Sequence, residues 1–343
     1  MKIDDLESGY RQSRSEQEKK VDIEVYQLYK EKNIVPVAEN ANAYYDALAS
    51  KDISLTWKSK QVESIRKYKM SLLRGEDDYG NLLTQTELKN LESEVDVSLQ
   101  RLGTDTPPVT FDSFLGMLEG AASSLGLITI LVIVYAGNLF ASEYGSGTIK
   151  LLLITPHKRR KIYLAKVLLL LEMSAITMGI LFVLSFLLGG AFTGFKGIGS
   201  MQVLSLFGRV PRLPYLLYIL LRYLLLMLPV LTYGALAVMM SVVTRKSAVA
   251  IAVTLLIVYG SELFMSILMA FSGNIIIPGA KFLIFANTSL ENYLPSAQPF
   301  FEMPRPRMVD GTMTLGFSVI ILLIYLFCFL WIAHDSFCRR DVK

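Results

Sequence analysis

The stretch GNLFASEYGSGTIKLLLITPHKRRKIYLAK, residues 137–166, is a basic, glycine-punctuated hinge between two apolar runs, 124–140 and 167–189. Each run is about the twenty residues that a helix needs to cross the hydrocarbon core of a bilayer. The hinge cannot cross: it carries Lys150, Lys158, Arg159, Arg160, Lys161 and Lys166 against the single acid Glu143. Basic loops beside spans stay on the cytoplasmic side. The first run therefore reads as passing from outside to inside, and the second as passing back.

Working outward, the same criterion assigns spans near 120–141, 167–189, 214–243, 248–271 and 314–335. Thr244, Arg245 and Lys246 form a tight inner turn, and Arg339, Arg340 and Lys343 hold the C-terminus inside. The outer loop 190–213 opposes the bias, with Lys196, Arg209 and Arg212 and no acid, but the hinge and the tail outweigh it. Region 272–313 contains apolar pieces too short to span, broken by Pro278, Pro295, Pro299, Pro304 and Pro306. It reads as re-entrant or interfacial on the outer face. The fold class that follows is all-α: a polytopic transmembrane bundle, residues 111–343, behind an N-terminal helical extracytoplasmic segment, residues 1–110.

Charge is segregated the same way. Residues 1–110 hold 16 Lys/Arg and 20 Asp/Glu, and the remainder 18 and 10, although mean hydropathy over the whole chain is +0.44. The net charge of +4 sits in short loops, where it sets orientation and attracts anionic lipid rather than nucleic acid. The N-terminal part reads as four helices. Residues 15–32 place Val21, Val25, Leu28 and Tyr29 at helical spacing, and 39–50 form a short second helix. Residues 55–74 carry Val62, Ile65, Met70, Leu72 and Leu73, and 84–102 carry Leu88, Leu91, Val95 and Leu99. Thr84 and Glu87 have the spacing of a capping box. Residues 1–110 themselves contain no apolar run that could carry them outward.

Motifs that would bring chemistry are missing. There is no HExxH, no CxxC and no His/Cys cluster, so no metal is expected. A reducing compartment argues against a Cys328–Cys338 disulfide. Two charges stand inside spans. Arg222 is eight residues from Pro214, about 12 Å, and Glu262 fifteen from Ser247, about 22 Å. Both fall in the outer part of the core, where they can pair or form a polar element of a substrate path or gate. Glu172, nearer the inner end, reads as snorkelling or meeting Lys166.

The hinge resembles the permease subunits of type-2 ABC transporters. Phe140, Ala141, Glu143, Gly147, Thr148, Leu151, Leu152, Pro156, Arg159 and Lys166 occupy that family's F-A-x-E-x-x-x-G-T, apolar helix, proline and basic-cluster places. The match is specific over about thirty residues, and the layout of spans extends it over the C-terminal two thirds. The resemblance implies that the hinge is a coupling helix seated on an ATPase, with Glu143, Tyr144, Gly147, Thr148, Ile149, Lys150, Pro156 and Arg159 at the contact. It implies a plasma-membrane exporter of a peptide, antibiotic, lipid or other amphiphile, with no catalytic site of its own. It further implies two ATPase chains, which carry ATP and Mg, and a second permease subunit, identical or a sister. No G-x-x-x-x-G-K-[ST] occurs here, in keeping with an ATPase on another chain. Relatives of that kind begin with a span absent from this layout, so the resemblance places one before residue 1. The rival expectation is a membrane sensor whose outer helical domain relays a signal without transport.

Overall fold

The computed structural model describes residues 15–32, 34, 53–76, 82–83, 85–109, 113–122, 125–149, 158–203, 211–272, 279–293 and 313–339. They fall into two compact units. One comprises residues 1–110 with 199–215 and 295–298, and the other 111–198 with 216–294 and 299–343.

In the first unit, α1 (Glu16–Glu31), α2 (Ile53–Arg74) and α3 (Gln85–Thr104) pack in sequence, α1 on α2 and α2 on α3. Ser15 opens α1 with a capping box: its hydroxyl accepts from the Glu18 N–H, and the Glu18 carboxylate accepts from the Ser15 N–H. Val21, Val25, Trp57, Val62, Ile65, Val95 and Leu102 form the core, with Leu28, Tyr29 and Leu99 packed against it. The apolar spacing of α1 and α2 is thus the buried face. Arg66 pairs with Asp22 at 2.8 Å and Arg74 with Glu18 at 2.9 Å, so the pairing partners run in opposite directions and α1 and α2 are antiparallel. The expected helix 39–50 and the Thr84 cap lie outside the described residues.

The expected outer loop 190–213 is partly structured. Strand β1 (Met201–Val203) pairs antiparallel with β2 (Arg212–Pro214), with Gln202 opposite Leu213. The pair joins the N-terminal unit. Arg101 Nη2 donates to the Val203 carbonyl (3.3 Å), and Gln202 Nε2 donates to the Pro107 carbonyl (3.2 Å). Two three-residue strands without alternation leave too little pattern for a sequence reading.

The second unit is an all-α membrane bundle. It contains α4 (Phe114–Ala121), α5 (Leu125–Gly145), α6 (Arg159–Thr193), α7 (Tyr215–Thr244), α8 (Ser247–Ser272) and α9 (Leu315–Arg339). Among the described residues α5, α6, α7 and α9 are long and apolar enough to cross a membrane, and α8 runs for 26 residues beside α5. The expected span 120–141 corresponds to α5, which begins at Leu125 and runs on to Gly145, and the shorter helix α4, ending at Ala121, precedes it. Helix α7 is central: 67% of its apolar window is buried, against 17% for α6 and 11% for α9, which present their leucines outward.

Two glycines set helix distances. A Cβ on Gly137 would lie 2.6 Å from Ile251 Cγ1, so α5 and α8 touch backbone to side chain there. A Cβ on Gly234 would meet Leu170 and Val132 at 2.8 and 3.0 Å, which lets α7 nest between α5 and α6. Helix α7 also continues through Pro229. The expected re-entrant region is described over 279–293, as 3₁₀ turns Ala280–Phe282, Ile284–Ala286 and Leu290–Tyr293. Ile284, Asn287 and Leu290 are buried, and the turns pack on α8 and α9. Asn287 Nδ2 donates to the Lys281 and Leu283 carbonyls, which satisfies irregular backbone inside the bundle.

Candidate functional site

The hinge begins where α5 ends. Gly147 takes a left-handed turn (φ 74°), a conformation that costs glycine nothing, and its N–H donates to the Tyr144 carbonyl. Ser146 Oγ donates to the Ser142 carbonyl at 2.9 Å, and the Ser146 and Thr148 hydroxyls lie 2.8 Å apart. The Ser142 carbonyl also accepts from the Ser146 N–H, and the Thr148 hydroxyl reaches the Glu143 carbonyl at 3.5 Å, where the Gly147 N–H has turned to Tyr144. Residues 145–148 are exposed and Ile149 is buried, so the loop turns outward and is anchored just after its tip.

Behind the tip the carboxylate of Glu143 forms an ion pair with Lys166 of α6, and Lys166 Nζ also donates to the Leu139 carbonyl at 2.7 Å. A cation at a helix C-terminus complements its dipole. The second carboxylate oxygen, Glu143 Oε2, is buried without a partner among the described residues. Three further contacts fix the same end. Ser241 of α7 accepts from the Phe140 and Ala141 N–H groups (3.3 and 2.9 Å) and donates to the Gly137 carbonyl (2.7 Å). The Arg245 guanidinium lies 5.1 Å from the Tyr144 ring centroid. Phe140 contacts Tyr163 and Phe337, and the Tyr163 hydroxyl donates to the Leu330 carbonyl of α9 at 2.6 Å. The hinge end is therefore tied to α6, α7, the α7–α8 turn and α9. A force on its tip has rigid routes into each of them.

The structure brings Glu143, Tyr144, Gly147, Thr148 and Ile149 together at this end, with Arg159 opening α6. Lys150 and Pro156 lie outside the described residues. Lys158, Arg159, Arg160 and Lys161 crowd the N-terminal turn of α6, where the helix dipole disfavours cations. Helix stability does not explain them. Ser241 and Tyr163 carried no sequence signal beyond being polar groups in spans.

At the other end Arg222 is buried, and Nη1 pairs with Glu119 Oε1 of α4 at 2.9 Å. Pairing with Glu262 was the expectation. Glu262 lies on α8, but its side chain is outside those described. Glu119 was missed because it stands one residue before the expected edge of the first span. An acid inside the apolar run FLGMLEGA was the available signal. Tyr223 reinforces the link by donating to the Leu118 carbonyl (2.9 Å). Arg222 also lines a cavity of about 250 Å³ between α5, α7, α8 and the 3₁₀ segment, with Thr129, Tyr233, Tyr259, Thr288 and Glu291 among its polar walls. Cys328 and Cys338 are free thiols, and Cys338 Sγ lies 3.5 Å from His334 Nε2. Among the described residues no three His, Cys, Asp or Glu side chains cluster as metal ligands.

Fold and site define a polytopic α-helical membrane protein in which several helix ends converge on one loop. The chain belongs to the family described as protein of unknown function (DUF2705), whose model matches residues 107–343. It is similar to the uncharacterized protein YhcI of Bacillus subtilis (strain 168), 31% identical over 225 residues, 63% of this chain and 64% of that one. The chain therefore spans less than two thirds of that relative's length. It is also similar to the uncharacterized membrane protein YdbK of the same organism, 27% identical over 239 residues, 68% of this chain and 85% of that one. No solved structure matches.

Proposed function

We propose that this chain is the membrane subunit of an ATP-driven exporter of the type-2 ABC class, working with a separate ATPase. The observation that carries the reading is the hinge. An exposed glycine turn stands on a node where α5, α6, α7 and α9 are bonded together, with the buried oxygen Glu143 Oε2 lacking a donor among the described residues. A coupling element needs both a presented tip and a stiff connection to the spans, and this end has both. Glu143, Tyr144, Gly147, Thr148, Ile149, Lys150, Pro156 and Arg159 are assigned to the ATPase contact. ATP and Mg are bound by the partner, in two copies, and a second permease subunit completes the path.

In this reading the hinge faces the cytoplasm, as does the C-terminus, and the membrane is the plasma membrane. Residues 1–110 are assigned to the extracytoplasmic side. The cavity beside Arg222, polar within an apolar bundle, suits the headgroup of an amphiphile. The cargo class is accordingly a peptide, antibiotic, lipid or other amphiphile.

The test is uncoupling. A candidate ATPase subunit, sought first among the neighbouring genes, is co-expressed and purified with the chain, and ATP hydrolysis is measured with and without candidate amphiphiles. Thr148→Val, an exposed change, is expected to leave insertion and complex formation intact while abolishing stimulation by cargo. A complex that copurifies a kinase, or an ATPase whose turnover is indifferent to both cargo and Thr148→Val, contradicts the reading.

A further inference from the structure

Arg222 has more donors than its ion pair uses. It is 8% exposed within α7, and its Nη1 serves Glu119. Its Nε is buried and has no acceptor among the described residues. A guanidinium presents five N–H groups, and a dry, unmatched donor costs stability. The same side chain lines the cavity of about 250 Å³ between α5, α7, α8 and the 3₁₀ segment. An occupant that brings an oxygen acceptor to the guanidinium removes the deficit.

The rest of the wall narrows the class of occupant. Leu125, Leu226, Val230 and Val258 make part of it apolar, and Tyr233, Tyr259 and Glu291 make part of it polar. The polar part is held in place: the Tyr259 hydroxyl donates to the Gly126 carbonyl at 2.8 Å, and the Tyr233 hydroxyl donates to Thr288 Oγ1 at 3.3 Å. Gly126 and Ser289 are exposed and mark the mouth. Glu119 already balances the charge of Arg222, and Glu291 adds a negative charge to the wall. A purely anionic ligand meets that carboxylate unfavourably. A purely cationic one leaves Nε without an acceptor. A ligand with both groups satisfies both ends. Its acidic oxygen bonds the guanidinium, and its amine sits beside Glu291 and the tyrosine rings, which attract cations. The volume lies below the range of about 300–1,000 Å³ usual for sites that enclose a whole ligand. It suits a headgroup, with the tail left at the mouth.

We propose that this cavity binds the zwitterionic polar end of an amphiphile, its phosphodiester or carboxylate on Arg222 and its amine beside Glu291. As a statement about cargo, this rests on the exporter reading. Binding itself does not, because it is measured on the chain alone, and hydrolysis that proves uncoupled leaves it untouched.

The test is equilibrium binding of radiolabelled lysophosphatidylethanolamine to the purified full chain in a maltoside detergent. Saturable binding is expected, at least about tenfold tighter than that of lysophosphatidylglycerol, which lacks the amine, or of an alkylamine of equal chain length, which lacks the acidic oxygen. Free phosphoethanolamine, the same headgroup without a tail, should compete at least about tenfold more weakly, and equal competition overturns the amphiphile as ligand. Arg222→Lys keeps a cation beside Glu119 but loses the Nε donor, and should weaken binding at least about tenfold. If that variant fails to accumulate, Ser289→Trp closes the exposed mouth and should abolish binding while the unfolding midpoint is kept. Glu291→Gln should erase the preference for the zwitterionic over the anionic lipid. Equal binding of the three amphiphiles, binding unmoved by Arg222→Lys or by Ser289→Trp, or a preference unmoved by Glu291→Gln overturns the proposal. So does the absence of saturable binding, which is what a cavity filled by water alone would give.

Discussion

Replacing Arg222 by Leu should be far more damaging alone than together with Glu119→Leu. The two side chains are 9% and 8% exposed and 2.9 Å apart, so each compensates the other's loss of hydration. Breaking a buried pair by removing one partner typically costs about 3–5 kcal/mol, whereas replacing both with apolar residues is often neutral or stabilising. At roughly 2–4 °C per kcal/mol for a domain of this size, each single variant should lower the unfolding midpoint by about 6–20 °C. The double variant should recover most of that loss. The assay is thermal unfolding of the purified chain in one detergent, followed by intrinsic fluorescence, for the four members of the cycle. Additive losses in the double variant would refute the reasoning, because they would mean that neither charge depends on the other. Transport by the four proteins then separates two roles. A stable double variant that still transports makes the pair structural, and one that does not places Arg222 in the cargo path.

Two further outcomes follow from packing and from burial. Gly137→Ala puts a methyl group 2.6 Å from Ile251 Cγ1 and should cost about 1–3 kcal/mol, with Ile251→Ala in the same chain relieving much of it, as read by the same unfolding assay. In the N-terminal unit, burial pushes the Tyr29 phenol up to about 12, Glu63 adding to the rise and Arg66 opposing it. The neutral phenol is the form the fold prefers. That contribution to stability is therefore whole below pH 10 and is lost as pH rises from 10 through about 12. Tyr29→Phe should flatten this alkaline loss, measured as the unfolding midpoint between pH 9 and 12.

Much of the bundle was legible because bilayer-length apolar runs and basic turns are strong signals. The hinge between α5 and α6, the turn at Thr244–Arg245–Lys246 and the last span needed nothing else. Helix spacing likewise found the buried faces of α1 and α2. Pairing across the bundle was not legible. Glu119 is separated from Arg222 by 103 residues, and no local pattern connects them. The span boundary also hid Glu119, since hydropathy averages over the break between α4 and α5. Ser241 reads as one more small polar residue in a span, and its role exists only once Gly137 brings α5, α7 and α8 together. The pairing of β1 with β2 was invisible for a different reason: three residues per strand carry no period.

The most direct test of the central claim is disulfide cross-linking at the hinge tip. In a chain with Cys328 and Cys338 replaced by serine, single cysteines are placed at Ser146, Thr148 and Lys158 and oxidised against single cysteines on the co-expressed ATPase. Adducts are expected from the tip, with yields that change between nucleotide-free and ATP-bound states. Cysteines at the opposite ends of the spans, such as Thr193, should give none. An intact complex that forms no adduct anywhere along residues 143–161 would contradict it.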